Sequence, residues 1–352
     1  MDKIILTTGG TGGHIFPALA VAERVREKNP EARILFIGSD YGLEGDLSRR
    51  SGLEFYGLAT RGVLGRGLKA IPATARLVMA LFKARGRIKK FDPDIVAGFG
   101  GYASFAPALA AKTLGIPLLI HEQNAVCGAG NRILGGFADK ICVSQKNTAG
   151  FSRDTVFTGN PVRKEIAAAR REGGGKRLLI LGGSQGATGI NKFIAGILST
   201  LRAAGVEVWH QCGERDFPWL KGIYDKTGVP SWRLEPFIIN MNEAYGWADL
   251  AFCRSGATTV AELRVAGIPA ILTPFPAAIH DHQTLNAKNM SEDGGAILIP
   301  EKELDANTGN IIIALLNNPL ELEKMSRAAL AGGVPDAADR IVREMEKTVL
   351  RK

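Results

Sequence analysis

The chain has 352 residues, a formal net charge of +9, 45% hydrophobic and 22% charged residues, a globular balance that is large for one domain and comfortable for two. No run of about 18 apolar residues occurs, which excludes a membrane-spanning helix, and the opening MDKIILTTGG is too short and too soon interrupted by glycine to read as a signal peptide. Cys127, Cys142, Cys212 and Cys253 lie far apart with no CxxC pair, so they read as reduced thiols of a cytoplasmic protein and not as a disulfide or zinc framework.

In chain order, an apolar strand at Lys3–Thr8 runs into Gly9-Gly10-Thr11-Gly12-Gly13, and His14 opens a helix. Further strands are expected at Arg33–Ile37, Ile95–Phe99, Pro117–His121 and Lys140–Val143. Before the second of these comes a basic stretch: Arg61 to Lys90 holds nine Lys or Arg and no acid, as many as the whole net charge. Within it Leu68–Lys90 reads as an amphipathic helix with Pro72 in its first turn. Val78, Leu81, Phe82 and Ile88 supply an apolar side, and Arg76, Lys83, Arg87 and Lys90 recur at steps of seven, four and three. Such a helix suits an anionic lipid surface, with Val78, Leu81, Phe82, Lys83 and Arg87 as contacts. A core-packed helix with a solvated basic face is the plainer reading. Nucleic acid is disfavoured, because few aromatics are present to stack bases.

The same order of elements restarts near residue 165, with strands expected at Arg177–Leu181, Glu207–Gln211, Leu250–Cys253, Ala270–Pro274 and Ala296–Ile299. The halves match in detail. KIILTTGGTGG corresponds to RLLILGGSQGA, PDIVAGFGG to ADLAFCRSG, and each half then reaches Gly-Ile-Pro, at Gly115–Pro117 and Gly267–Pro269. Strands alternating with helices imply parallel sheets covered on both faces. The fold expected is α/β: two doubly wound domains, 1–160 and 161–336, separated by a cleft, with a C-terminal helix at about 337–352 returning to the first domain. Chain-breaking Gly-Asn-Pro in TGNPVRKEI marks the boundary.

Neither glycine loop is a GxGxxG dinucleotide fingerprint or a GxxxxGK[ST] phosphate loop. What remains is a strand, a glycine turn and a helix N-terminus, which attracts an anion through backbone N–H groups and the helix dipole. Two such loops in matched halves favour phosphate-bearing ligands; tight strand-to-helix turns are the alternative. His14, at the positive end of its helix, is either a helix-end residue bonded to its own turn or a base facing the ligand.

Taken in order, GGTGGHIFPALA, GFGGYASFAPALAA, HEQNAVCGAGNR, GNPVR, GGSQGA, RSGATTVAEL and DHQTLNA resemble the bacterial MurG family. These are the peptidoglycan glycosyltransferases that move N-acetylglucosamine from UDP-N-acetylglucosamine onto lipid I. The resemblance runs from residue 4 to about residue 290 and implies the GT-B fold, inversion at the anomeric carbon and no required cofactor or metal. It implies that Ala257, Thr258, Thr259, Val260, Ala261 and Glu262 bind the donor, Glu262 through the ribose hydroxyls. It places Arg163 and Ser184 on the diphosphate, the Ile238 backbone on uracil, and Gln283 and Asn124 on sugar hydroxyls. Thr11, Gly12 and Gly13 would line the acceptor side, with His14 as candidate base and His121 and Glu122 as weaker ones. It also implies lipid I and an anionic lipid surface as partners, a peripheral place on the cytoplasmic face of the membrane, and proteins of cell-wall synthesis as further partners. His280, Asp281 and His282 could pass for a metal cluster, but a polar loop is the favoured reading. Thr284, after Gln283, stands where some members carry glutamine. Other readings are a different UDP-sugar enzyme of the same fold, such as an epimerase, or a non-enzymatic binder of nucleotide sugars or nucleic acid; an NAD dehydrogenase fits poorly.

Overall fold

The computed structural model describes residues 1–10, 12–60, 70–167, 174–183, 185–278 and 281–351, with the main chain only at 70–75. The chain divides into two compact units. Unit 1 comprises Met1–Arg163 and Pro335–Lys352, and unit 2 comprises Lys164–Val334. Arg163, expected to open the second domain, therefore belongs to the first.

Unit 1 runs β1 (Lys3–Thr7), α1 (Gly12–Lys28), β2 (Arg33–Ser39), α2 (Glu44–Arg50), β3 (Glu54–Leu58), α3 (Ala70–Phe91), β4 (Ile95–Gly98), α4 (Phe105–Thr113), β5 (Leu118–Glu122), α5 (Ala129–Gly135), β6 (Lys140–Val143) and β7 (Val156–Phe157). Every strand pair is parallel, in the order β3-β2-β1-β4-β5-β6-β7. Unit 2 runs α6 (Lys164–Ala167), β8 (Arg177–Leu181), α7 (Thr188–Ala203), β9 (Glu207–Gln211), α8 (Phe217–Thr227), β10 (Arg233–Glu235), α9 (Met241–Trp247), β11 (Leu250–Cys253), α10 (Ala257–Ala266), β12 (Ala270–Leu272), α11 (His282–Glu292), β13 (Ala296–Leu298), α12 (Ala306–Leu316) and α13 (Pro319–Ala331). Its strands follow the order β10-β9-β8-β11-β12-β13, again all parallel. Both are doubly wound sheets whose order reverses beside the first strand of the unit. The edge strands β3, β7 and β10 were not expected from the sequence.

Burial on both faces explains the unbroken apolar strands. Ile4 and Leu6 of β1 pack on one side with Ile15, Ala18 and Val21 of α1, while Ile5 packs on the other with Ala84 and Ile88 of α3. The last helix, α14 (Ala337–Leu350), returns to unit 1 and lies along α1. Ile341, Val342 and Met345 complete that core layer. Arg24 of α1 clasps Asp339 Oδ1 through Nε at 2.9 Å and Nη2 at 2.8 Å.

Ile341 is fully buried, so Ile341→Ala removes core volume from unit 1 and is expected to destabilise it by about 2–5 kcal/mol. All four tryptophans, at 209, 219, 232 and 247, lie in unit 2. In urea, the circular dichroism transition of the variant should move to lower concentration while the tryptophan fluorescence transition stays in place. Parallel movement of both signals would contradict the assignment.

Candidate active site

In doubly wound sheets ligands bind beyond the carboxyl ends of the strands, where the strand order reverses. In unit 1 that point lies between β1 and β4. The loops that follow these strands pack backbone to backbone. The Gly9 N–H donates to Gly100 O at 3.2 Å. A Cβ on Gly101 would stand 1.7 Å from Gly9 O, and one on Gly9 only 2.4 Å from Ala103 Cβ. Gly10 and Gly101 adopt φ of +105° and +77°, open to glycine at no steric penalty. The loop thus needs Gly9 and Gly10 for its own closure, whatever it binds. Gly10 N–H also donates to Glu44 Oε1 at 2.9 Å. Glu44 is fully buried, and its Oε2 has no hydrogen-bond partner among the described residues. Gly12 and Gly13 then form the first turn of α1, which contains no acidic residue. Its dipole therefore meets no opposing charge within the turn. Thr11 lies outside the described residues.

His14 is half-buried in that first turn. Its Nδ1 lies 2.9 Å from Gln123 Oε1, and a Cβ on Gly100 would come 3.3 Å from the same nitrogen. The Gln123 amide nitrogen donates to Phe99 O at 2.9 Å and lies 3.1 Å from His121 Nδ1. His121 Nε2 stands 3.0 Å from Gly159 O. Both nitrogens of the fully buried His121 are therefore engaged, and it cannot serve as a base. Burial lowers its pKa from 6.5 to about 4, against the Gly159 carbonyl and Glu122, which raise it, and together with His14, which lowers it.

Glu122 is also removed as a base. Its Oε1 accepts from Asn124 N and Nδ2 at 3.0 and 3.1 Å, and its Oε2 from Gly128 N and Asn131 Nδ2 at 3.1 and 2.9 Å. Four donors saturate a carboxylate. Glu122 anchors the turn after β5 and in doing so orients Asn124. Arg163 lays its guanidinium over the Phe16 ring of α1, 4.5 Å from the centroid, which places it beside the first glycine loop.

In unit 2 the order reverses between β8 and β11. The loop after β8 repeats the close approach of backbones: Gly186 has φ of +76°, and a Cβ on Gly213 would stand 2.6 Å from Gly186 Cα. Gln211 Nε2 ties the turn down through Gly183 O at 3.0 Å. Ser184 lies outside the described residues. Helices α7 and α10 begin there with no side-chain cap and no acid in the first turn, which leaves their N-terminal donors suited to an anion.

Along α10, Ala257, Thr259 and Ala261 are half-buried, whereas Thr258, Val260 and Glu262 are buried. Val260 is therefore a packing residue whose main chain alone can serve a ligand. Glu262 is only 6% exposed and accepts from the Tyr245 hydroxyl at 3.0 Å, so it is not a solvated surface glutamate. Ile238 is 1% exposed, which again leaves only its main chain for a ligand. Gln283 Oε1 accepts from Phe275 N at 2.9 Å, and Gln283 O accepts from Ser255 Oγ at 2.8 Å. The start of α11 is thereby fixed to the turn between β11 and α10. Asp281, at φ of +51°, precedes that start and accepts from Thr284 Oγ1 but makes no side-chain cap bond to the helix. Among the described residues no three His, Cys, Asp or Glu gather as a metal-binding group; His280 lies outside them.

On α3, the apolar side expected from the sequence divides. Ala80, Ala84, Ile88 and Phe91 are buried, and Leu81 packs partly against the same core. Val78, Met79 and Phe82 point outward, at 47%, 55% and 68% exposure, with Lys83 also exposed. Arg87 pairs with Glu54 and lies over the Tyr56 ring, so it is committed within unit 1. Residues 61–69 of the basic stretch lie outside the described ones. No helix among the described residues is long and apolar enough to cross a membrane.

Four residues that organise these sites went unassigned in the sequence: Gln123, Glu44, Tyr245 and Arg254. Arg254 donates to Thr273 O and Pro274 O and pairs with Glu301. Gln123 sits within HEQN but acts on His14, 109 positions away, a separation at which spacing carries no signal.

Two parallel doubly wound sheets, each with a glycine loop and open helix N-termini at its reversal point, define the GT-B class. The comparisons agree. Residues 4–143 match the glycosyltransferase family 28 N-terminal domain and residues 177–341 the family 28 C-terminal domain. A UDP-N-acetylglucosamine–N-acetylmuramyl-(pentapeptide) pyrophosphoryl-undecaprenol N-acetylglucosamine transferase of Nitratidesulfovibrio vulgaris is 46% identical, covering 98% of this chain and 97% of its own. A protein of the same description from Methylococcus capsulatus is 40% identical over 97% of each. The crystal structure of Acinetobacter baumannii MurG superposes with a TM-score of 0.78 at 32% identity, covering 99% of this chain and 100% of its own. A UDP-N-acetylglucosamine 2-epimerase shares the fold alone, with a TM-score of 0.67 at 17% identity over 100% of this chain and 97% of its own. The chain belongs to glycosyltransferase family 28.

The buried His121 makes unit 1 acid-sensitive. Its folded pKa of about 4 lies below the ordinary 6.5, so the unfolded chain takes up the proton first. Its contribution is complete above pH 6.5 and is lost as pH falls toward 4. About 2 kcal/mol of unfolding free energy should disappear between pH 7.5 and 5 through this residue. Urea titrations followed by circular dichroism at the two pH values should show a flatter dependence in His121→Gln; an equal dependence would exclude His121 as its source.

Proposed function

We propose that this chain transfers N-acetylglucosamine from UDP-N-acetylglucosamine to the C4 hydroxyl of the N-acetylmuramyl group of lipid I, with inversion. The observation that carries this reading is the identity of 40–47% over nearly the full chain to transferases described by that donor and acceptor. The residue chemistry is suited to it. The Glu262 carboxylate, accepting from Tyr245, can take further donors from the ribose hydroxyls. The main chain of Ile238 would read uracil, and the first turn of α10, Ala257 to Ala261, would receive the nucleotide. Ser184 and Arg163 would meet the diphosphate, with an arginine fork matched to its oxygens. Gln283 and Asn124 would hold sugar hydroxyls, and Thr11, Gly12 and Gly13 would line the acceptor.

In the proposed reaction His14 takes the proton of the acceptor hydroxyl as its oxygen bonds to the anomeric carbon. The bond from that carbon to the β-phosphate oxygen breaks, and UDP leaves with the electron pair. One displacement from the face opposite UDP gives inversion, and helix N-termini with Arg163 would stabilise the growing charge on UDP. This route assigns no step to a metal. Transfer of labelled sugar to a short-chain lipid I analogue should therefore proceed with chelator present, and loss of transfer on chelation would count against it. Glu262→Gln should raise KM for UDP-N-acetylglucosamine about tenfold to hundredfold; an unchanged KM would remove Glu262 from the donor site.

A lipid-linked acceptor implies a membrane surface, and α3 of unit 1 supplies the fitting face. Val78, Met79, Phe82 and Lys83 point outward, beside a depression of about 310 Å³ lined by Tyr41, Ala59, Arg76, Met79, Ala80 and Lys83. Apolar and cationic groups together suit an anionic lipid surface. Met79→Asp with Phe82→Asp should weaken sedimentation with vesicles containing anionic lipid by roughly tenfold. Unchanged sedimentation would move the membrane contact elsewhere.

A further inference from the structure

We propose that Gln123 is a positioning residue that locks the tautomer of His14, keeping hydrogen on Nδ1 and the lone pair on Nε2. This rests on the reading of His14 as the base and specifies which nitrogen takes the proton.

The direction of the bonds that join Phe99, Gln123, His14, His121 and Gly159 follows from carbonyls that can only accept; the Ser144 hydroxyl, 3.5 Å from His121 Nε2, is able to accept beside the Gly159 carbonyl. The Phe99 carbonyl can only accept, and a Gln123 amide atom lies 2.9 Å from it. That atom must be Nε2, because an oxygen there would set two acceptors against each other. The amide oxygen is thereby turned to His14, where it lies 2.9 Å from Nδ1. An amide oxygen cannot donate, so the His14 Nδ1 must carry the hydrogen, and in the neutral ring Nε2 is left as acceptor. The far end agrees independently. His121 Nε2 faces the Gly159 carbonyl at 3.0 Å, so its hydrogen sits there, and its bare Nδ1 receives the second amide hydrogen of Gln123 at 3.1 Å. Two carbonyls, at residues 99 and 159, thus fix two imidazoles and one amide with no clash of roles.

Three features make the lock firm. Gln123 and His121 are 1% and 0% exposed, so water does not offer alternative partners. Gly100, at φ of +80°, keeps clear the space where a Cβ would press on His14 Nδ1. The orienting group is a neutral amide. A carboxylate in its place would favour the charged imidazolium, which has no lone pair for a hydroxyl proton. The arrangement orients a base through its second nitrogen, as an aspartate does in serine proteases, but without adding charge.

The test uses the full chain labelled with ¹⁵N-histidine. The chain has five histidines, so single His→Gln variants assign each ring in two-bond ¹H–¹⁵N spectra at neutral pH. The expected result is protonated Nδ1 and bare Nε2 for His14, with the reverse for His121. Gln123→Met keeps the side-chain length and loses the hydrogen bonds. It should move His14 toward the Nε2-protonated form and lower kcat about tenfold to hundredfold, with KM for UDP-N-acetylglucosamine within about twofold. A wild-type His14 carrying its hydrogen on Nε2 overturns the proposal, and this measurement stands even if the variant does not fold. A folded Gln123→Met with an unchanged His14 spectrum overturns it as well. Wild type that shows the expected tautomers but transfers no sugar would overturn the functional reading and leave the lock standing.

Discussion

The close approach of two backbones at the carboxyl ends of β1 and β4 is the constraint on which unit 1 depends. Neither Gly9 nor Gly101 tolerates a side chain, the first because of Ala103 and the second because of the Gly9 main chain. The distance between the two loops is therefore set by main-chain atoms. Helix α1 begins immediately afterwards, and Phe99 and Gly100 begin the opposing loop. The place of His14 between Gly100 and Gln123 follows from that packing, not from any flexible contact. A site built this way loses little entropy when ligand arrives, since its frame is already fixed.

Unit 2 uses the same device with other partners. Gly186 and Gly213 also leave no room for a side chain between them, but the second contact comes from the loop after β9 and not from the loop across the reversal point. The two units therefore differ where likeness in sequence suggests identity. In unit 1 the loop leads to a histidine held by an amide. In unit 2 it leads to an uncapped helix, and a buried glutamate lies on α10 instead.

The central strands were legible because burial on both faces demands unbroken apolar runs. EFYGL and RLE escaped because edge strands are only half-buried and mix charge with apolar residues. On α3 the periodicity showed a helix but not which of two apolar stripes the core would claim, and the stripe through Ala80, Ala84, Ile88 and Phe91 was taken. Glu122 is instructive in a different way. Its saturating donors come from Asn124, Gly128 and Asn131, all within nine positions, so a local reading could have found its anchoring role. Gln123 could not be found so, because Phe99 and His14, the partners that set which way its amide faces, are distant in sequence.

The return of α14 to unit 1 has a consequence for biosynthesis. Its layer of Ile341, Val342 and Met345 belongs to the core around β1 and α1, yet the whole of Lys164–Val334 is translated before it. At ordinary elongation rates the N-terminal unit waits roughly 9 to 34 s for its last helix. During that interval the groove along α1 is an uncovered apolar surface, open to chaperones, while unit 2 has all of its own chain. The first unit to emerge is thus the second to have its whole chain.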